Sequence, residues 1–155
     1  MKMVMIIALI AVLATAIWTD LRSSRIPNWL TFSTMIFAIA IHAYLGGTEE
    51  ALFGLAGLAT GLGLFLIPYL SAGIGAGDVK LMGAVGAIVG PSDALLSGAL
   101  AILVGGVYAA GVMAYRSGLS RFGWGQEAVS LRLRYGIAIA GGTLLFQLGI
   151  NPFEG

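Results

Sequence analysis

Aspartate is the residue type in this chain best placed to do chemistry. There is no cysteine and a single histidine, His42. That composition excludes a disulfide framework, a thiolate zinc site and a cysteine nucleophile, and it leaves no His-rich metal cluster and no obvious Ser-His couple. Two of the acids, Asp20 and Asp78, stand where apolar runs meet short polar or glycine-rich stretches. Two carboxylates that share a site cannot both ionise cheaply, so one tends to keep its proton near neutral pH. The ionised partner can then take a proton from water while the protonated one polarises a carbonyl, which is the acid–base division of an aspartic protease. Such titration belongs to the pair rather than to either residue.

The local setting of each acid admits a second reading. Asp20 closes an apolar run ending Ala16-Ile17-Trp18-Thr19, at a helix C-terminus that already carries partial negative charge and at a depth where water is scarce. It is either an interfacial aspartate paired with Arg22 or Arg25, or a functional acid held where its charge is poorly tolerated. Asp78 closes the stretch Ser71 to Lys80, with Gly73, Gly75 and Gly77 at alternate positions. These glycines make a flexible backbone open to close approach. Asp78 is either an acidic cap opening the next helix or the second functional acid. A nucleotide cradle would need a strand and crossover unit in front of it, and a membrane helix stands there instead.

The elements that must position these acids are transmembrane helices. Hydrophobic residues make up 59% of the 155 residues and charged ones only 10%, against about a quarter charged in a soluble domain. Mean hydropathy is +0.98, and the apolar residues come in long runs. The expected fold is an all-α membrane protein of about six spans, near 3–19, 28–45, 51–70, 79–91, 94–115 and 134–150. The fourth is short and Gly-rich, and it is read as a tilted or partly embedded helix, or one continuing upstream. Residues 1–155 form a single transmembrane domain in this reading. The stretch Arg116 to Leu133 is expected along the interface, with Phe122 and Trp124 at headgroup level. Met1 to Ala16 has a lysine, an apolar stretch and Ala14-Thr15-Ala16, features shared with cleaved signal peptides. Cleavage would discard part of the run leading into Asp20, so it is read as the first span.

Basic residues orient the bundle. With both termini outside, Arg22, Arg25, Lys80, Arg116, Arg121, Arg132 and Arg134 face the cytoplasm and Lys2 alone lies opposite, a strong positive-inside bias. Glu49, Glu50, Asp93 and Glu154 fall outside, leaving Asp20, Asp78 and Glu127 on the cytoplasmic side. The two aspartates therefore share a membrane face. Gly54, Gly57 and Gly61, and likewise Gly83, Gly86 and Gly90, recur at spacings that let helix backbones approach closely. A net charge of +1 offers no basic field for nucleic acid.

These residues resemble a known family. The stretch Asp20-Leu21-Arg22-Ser23-Ser24-Arg25-Ile26-Pro27-Asn28 is similar to the first-aspartate motif of type IV prepilin peptidases, with Pro27 in the first turn of the next helix, where its missing N–H has no partner anyway. Gly75-Ala76-Gly77-Asp78-Val79-Lys80-Leu81 resembles that family's Gly-x-Gly-Asp motif, and Arg134-Tyr135-Gly136 through Gly141 its Pro-Tyr-Gly-x-Ala segment, with Arg134 where proline is usual. The resemblance covers nearly the whole chain. It implies an aspartic endopeptidase of a bacterial cytoplasmic (inner) membrane that removes the short leader of prepilin or pseudopilin precursors. Asp20 and Asp78 would be its catalytic pair and Gly75 and Gly77 would shape the loop, with no metal or other cofactor. Lys80, Arg22, Arg25, Pro27 and Asn28 are implied as site or leader-binding residues, although positive-inside topology also accounts for the basic ones. No counterpart of the larger members' zinc-binding, methylating N-terminal region is expected, and so protease activity alone is expected. The short form resembles the small peptidases of Flp-type, tight-adherence pilus systems.

Three other functions compete on sequence alone. A small transporter or channel subunit would use the two acids for protons or a cation, but no charged residue sits near the middle of a span. His42 lies towards the outer end of span two. A non-catalytic pilus or secretion assembly factor would need neither acid. A preflagellin peptidase or another Gly-x-Gly-Asp protease would share both acids and differ in substrate.

Overall fold

The computed structural model describes residues 2–23, 26–72, 74–120, 139–141 and 143, and among them there is no strand. Among the described residues four helices follow in order: α1 Lys2–Ser23, α2 Asn28–Ala72, α3 Ala76–Val89 and α4 Pro91–Ser120. Two stretches among the same residues, Val4–Arg22 and Asn28–Leu70, are long and apolar enough to cross a membrane. The all-helical expectation is met.

The long α2 is two helices joined at a bend. Gly47 leaves helical geometry there, with φ 72° and ψ −155°, a region open to glycine and costly for other residues. In a straight helix, residues 42 and 54 would stand about 18 Å apart. Instead, a Cβ on Gly54 would touch the His42 ring, and the rings of His42 and Phe53 lie 6.0 Å apart. The chain therefore doubles back at Gly47, and the expected spans 28–45 and 51–70 fall on its two arms.

The third helix is the centre of the molecule. From Asp78 to Ile88 every α3 residue except Lys80 is buried. The helix has 14 residues, about 21 Å of axial length, against a hydrocarbon core of about 30 Å. Gly75, extended at φ −69° and ψ 141°, closes off any upstream continuation. At its other end Gly90 takes φ 88° and Pro91 opens α4, where a missing N–H is tolerated. The expected fourth span maps to α3 and the fifth to α4. Helix α4 continues to Ser120, so residues 116–120 extend it; residues 121–133 of the expected interfacial stretch lie outside the described residues. Of the sixth, Ile139, Ala140, Gly141 and Thr143 are described and helical, with Ile139 and Thr143 fully buried.

Glycine brings α3 against α2. A Cβ on Gly57 would run into the carbonyl of Gly86, and one on Gly61 into the carbonyl of Met82. Backbones meet at such points because no side chain stands between them. Phe65, Leu81, Met82 and Val85 fill the core around this seam. The outward faces are apolar as well: Ile36, Ile67, Leu70 and Val107 are each at least 70% exposed. So wide an apolar exterior is unusual on a protein surrounded by water.

Candidate active site

Four helix ends converge where the two aspartates lie. Helix α1 ends at Ser23 and α2 begins at Asn28; the far arm of α2 ends at Ala72, and α3 begins at Ala76. Ile26, in the α1–α2 connection, lies where a Cβ on Gly77 would come within 3.3 Å of its own Cβ. That contact joins the first motif to the second across about fifty residues of chain.

Asp20 sits in the last turn of α1, 8% exposed, with its Oδ2 atom shielded from solvent. Asp78 sits in the first turn of α3, 9% exposed, ahead of the apolar run 79–91. It is not the helix cap. Gly75 occupies that position, and Asp78, three residues on, accepts a hydrogen bond from the Gly75 backbone N–H. Its own N–H donates to the Gly75 carbonyl at 3.0 Å. This is the reach-back half of a capping box, and it holds the carboxyl over the turn.

The two carboxyls interact. Burial pushes the Asp78 carboxyl up to about 7, the charge of Asp20 adds to this, and the Gly75 hydrogen bond opposes both. Burial dominates because a charge taken from water loses its hydration. A buried acid holding its proton near neutrality beside a second buried acid has the form needed for general acid–base work on a carbonyl.

The glycines act through space rather than through unusual torsions. At φ −69°, Gly75 has a backbone any residue adopts, but a Cβ there would lie 3.2 Å from Asp78 Oδ2. Gly77 is likewise crowded by Ile26.

The remaining motif residues separate into two groups. Lys80 Nζ donates to Asn28 Oδ1 at 2.9 Å and lies 5.4 Å from the centre of the Phe32 ring. The Pro27 carbonyl accepts the Leu30 N–H at 3.1 Å, so Pro27 stands just ahead of α2 rather than within its first turn. Arg22 is exposed. Arg25 and the segment 134–138 lie outside the described residues.

Sequence reasoning missed Phe32 and Ile26 as neighbours of the site. Phe32 was within reach of it, because residues four apart share a helix face and Phe32 follows Asn28 at that spacing. At the opposite end, His42 is 3% exposed, with Nδ1 3.1 Å from Glu50 Oε2 and Nε2 3.4 Å from the Ile88 carbonyl. It borders a half-open cleft of about 390 Å³ lined also by Met5, Phe53 and Asp93. Among the described residues no group of three His, Asp or Glu side chains is arranged to hold a metal.

Compared with known proteins, residues 7–110 match the model of the type IV leader peptidase family. No curated protein and no solved structure matches the chain.

Proposed function

The chain belongs to the type IV leader peptidase family, and we propose that it is a membrane-embedded aspartic endopeptidase that cleaves the leader from prepilin or pseudopilin precursors. Membership implies a peptidase. The observation that carries the finer reading is that Asp20 and Asp78 are both buried at one end of the helices, near enough for the charge of one to act on the other.

In this mechanism the ionised aspartate draws a proton from water as the water oxygen adds to the scissile carbonyl carbon. The protonated aspartate donates to the carbonyl oxygen. Collapse of the tetrahedral species breaks the C–N bond, and the proton taken from water passes to the departing amine. No cofactor is needed. The substrate would present a short basic leader, a glycine before the cut, and an apolar helix lying in the bilayer beside the enzyme.

The active end lies at the cytoplasmic face of a multi-pass protein of the bacterial inner membrane, in a six-span bundle with both termini outside. The basic residues near that end favour this orientation. Exposed Trp18 and Trp29 beside the aspartates, with exposed Tyr44 by the far bend, support an interface at each end.

The test is co-expression with a candidate prepilin, following leader removal by gel shift. Wild type should cleave, while Asp20→Asn and Asp78→Asn, at equal membrane expression, should each lose about 10²- to 10⁴-fold in rate. Cleavage at the wild-type rate by either variant would remove that residue from the mechanism, and by both would favour a non-catalytic assembly role.

A further inference from the structure

Lys80 and Asn28 are 52 positions apart in sequence, yet they share a hydrogen bond of 2.9 Å at the junction of the two aspartate motifs. Lys80 is the one residue between Asp78 and Ile88 that α3 does not bury. Its ammonium reaches the start of α2, where it meets two groups at once: the Asn28 side-chain oxygen and the face of the Phe32 ring. On the other side of Asp78, Ile26 packs against Gly77. The α1–α2 connection is thereby fastened to the first turn of α3 by one polar and one apolar contact, on either side of Asp78.

From this arrangement we infer that Lys80 is a positioning residue, a clasp on Asn28 that sets the first turn of α3 against the α1–α2 connection and so fixes Asp78 relative to Asp20. The inference rests on the peptidase reading for its catalytic consequence, and it replaces the role of a leader contact for Lys80. An ammonium already committed to an amide oxygen and an aromatic face has less to offer a basic leader, which it would in any case repel. The cost of losing the clasp falls on the geometry of the reacting groups. A displacement of about 1 Å there is worth up to about 100-fold in rate.

Two readouts on the full-length protein in nanodiscs test it. The first is hydrogen exchange, which does not depend on activity. Lys80→Met should speed exchange of the amides at 28–32, and Asn28→Leu should speed exchange at 77–81, each several-fold. Asn28→Asp, which keeps the acceptor, should exchange like wild type at both. The second is cleavage kinetics on a prepilin. Lys80→Met and Asn28→Leu should lower kcat about 10- to 100-fold with KM held, and the double variant should be no slower than the slower single one. Unchanged exchange in Lys80→Met overturns the clasp. A raised KM with kcat held in Lys80→Met overturns it too, in favour of leader contact. If wild-type protein cleaves no prepilin, the peptidase reading fails, and the exchange data still decide whether the clasp exists.

Discussion

Gly57 of α2 and Gly86 of α3 meet backbone to backbone, each standing where a Cβ on the other would strike its carbonyl oxygen. This contact sets how closely the central helix approaches the hairpin, and α3 carries Asp78 two turns before Gly86. Helix association in a bilayer draws on such packing because apolar burial offers little advantage over lipid contact.

A side chain at this seam should therefore force the helices apart. Gly86→Val is expected to lower stability by about 1–3 kcal/mol, the usual range for overpacking, and to reduce leader cleavage as α3 shifts. Gly63→Ala, at a position with open space around it, should leave both unchanged. Thermal unfolding in detergent and a cleavage assay check the pair of variants.

Gly75 is crowded by its own aspartate rather than by a neighbouring helix. Its backbone suits any residue, so Gly75→Ala should fold as well as wild type. The added methyl, 3.2 Å from Asp78 Oδ2, should turn the carboxyl away from its position and slow cleavage about 10-fold, with Gly75→Val slower again; displacement of reacting groups by a fraction of an ångström has effects of this size. An equal melting temperature with a lower kcat is the expected signature.

The pH dependence follows from Asp78. Its carboxyl is raised from 3.8 to about 7 by burial and by Asp20, so the fold favours the protonated form. Stability from this group is complete below about pH 3.8 and is lost as pH rises through about 7. Asp78→Asn removes the ionisation. The variant should gain in melting temperature over wild type as pH climbs from about 4 to about 7, with the gap levelling off above that. Wild-type cleavage should fall on the alkaline side of about 7 as the acid loses its proton.

His42 offers a control at the other end. Both ring nitrogens face acceptors, Glu50 and the Ile88 carbonyl, and the ring packs on Phe53. His42→Ala removes both contacts and the ring packing and should cost about 2–3 kcal/mol. Because His42 lies by the Gly47 bend, while the site lies at the two termini of α2 and the start of α3, kcat of the folded fraction should stay within about twofold of wild type. Melting curves and initial rates in the same preparation separate the two effects.

Much of the helical plan was legible because it is local. Apolar runs of sufficient length mark helices wherever they occur, and Asp20 and Asp78 advertise themselves by standing where such runs meet polar or glycine-rich stretches. The bend at Gly47 lay where the break between the second and third runs was expected. The role of Asp78 was less visible: its position as a cap looked natural from the glycine before it, and only the backbone geometry makes Gly75 the cap and Asp78 the residue that reaches back.

The sequence by itself determined the residue types available for chemistry, the apolar runs and the resemblance carried by two short motifs, since each depends on neighbours along the chain. The tertiary structure decided which distant residues come together: Lys80 with Asn28, Ile26 with Gly77, Gly57 with Gly86, and Asp20 within reach of the charge of Asp78. Those meetings depend on how α2 doubles back at Gly47 and how far α3 sinks between its neighbours. Such long-range contacts are settled by the packing of whole helices, and no local stretch of sequence contains them.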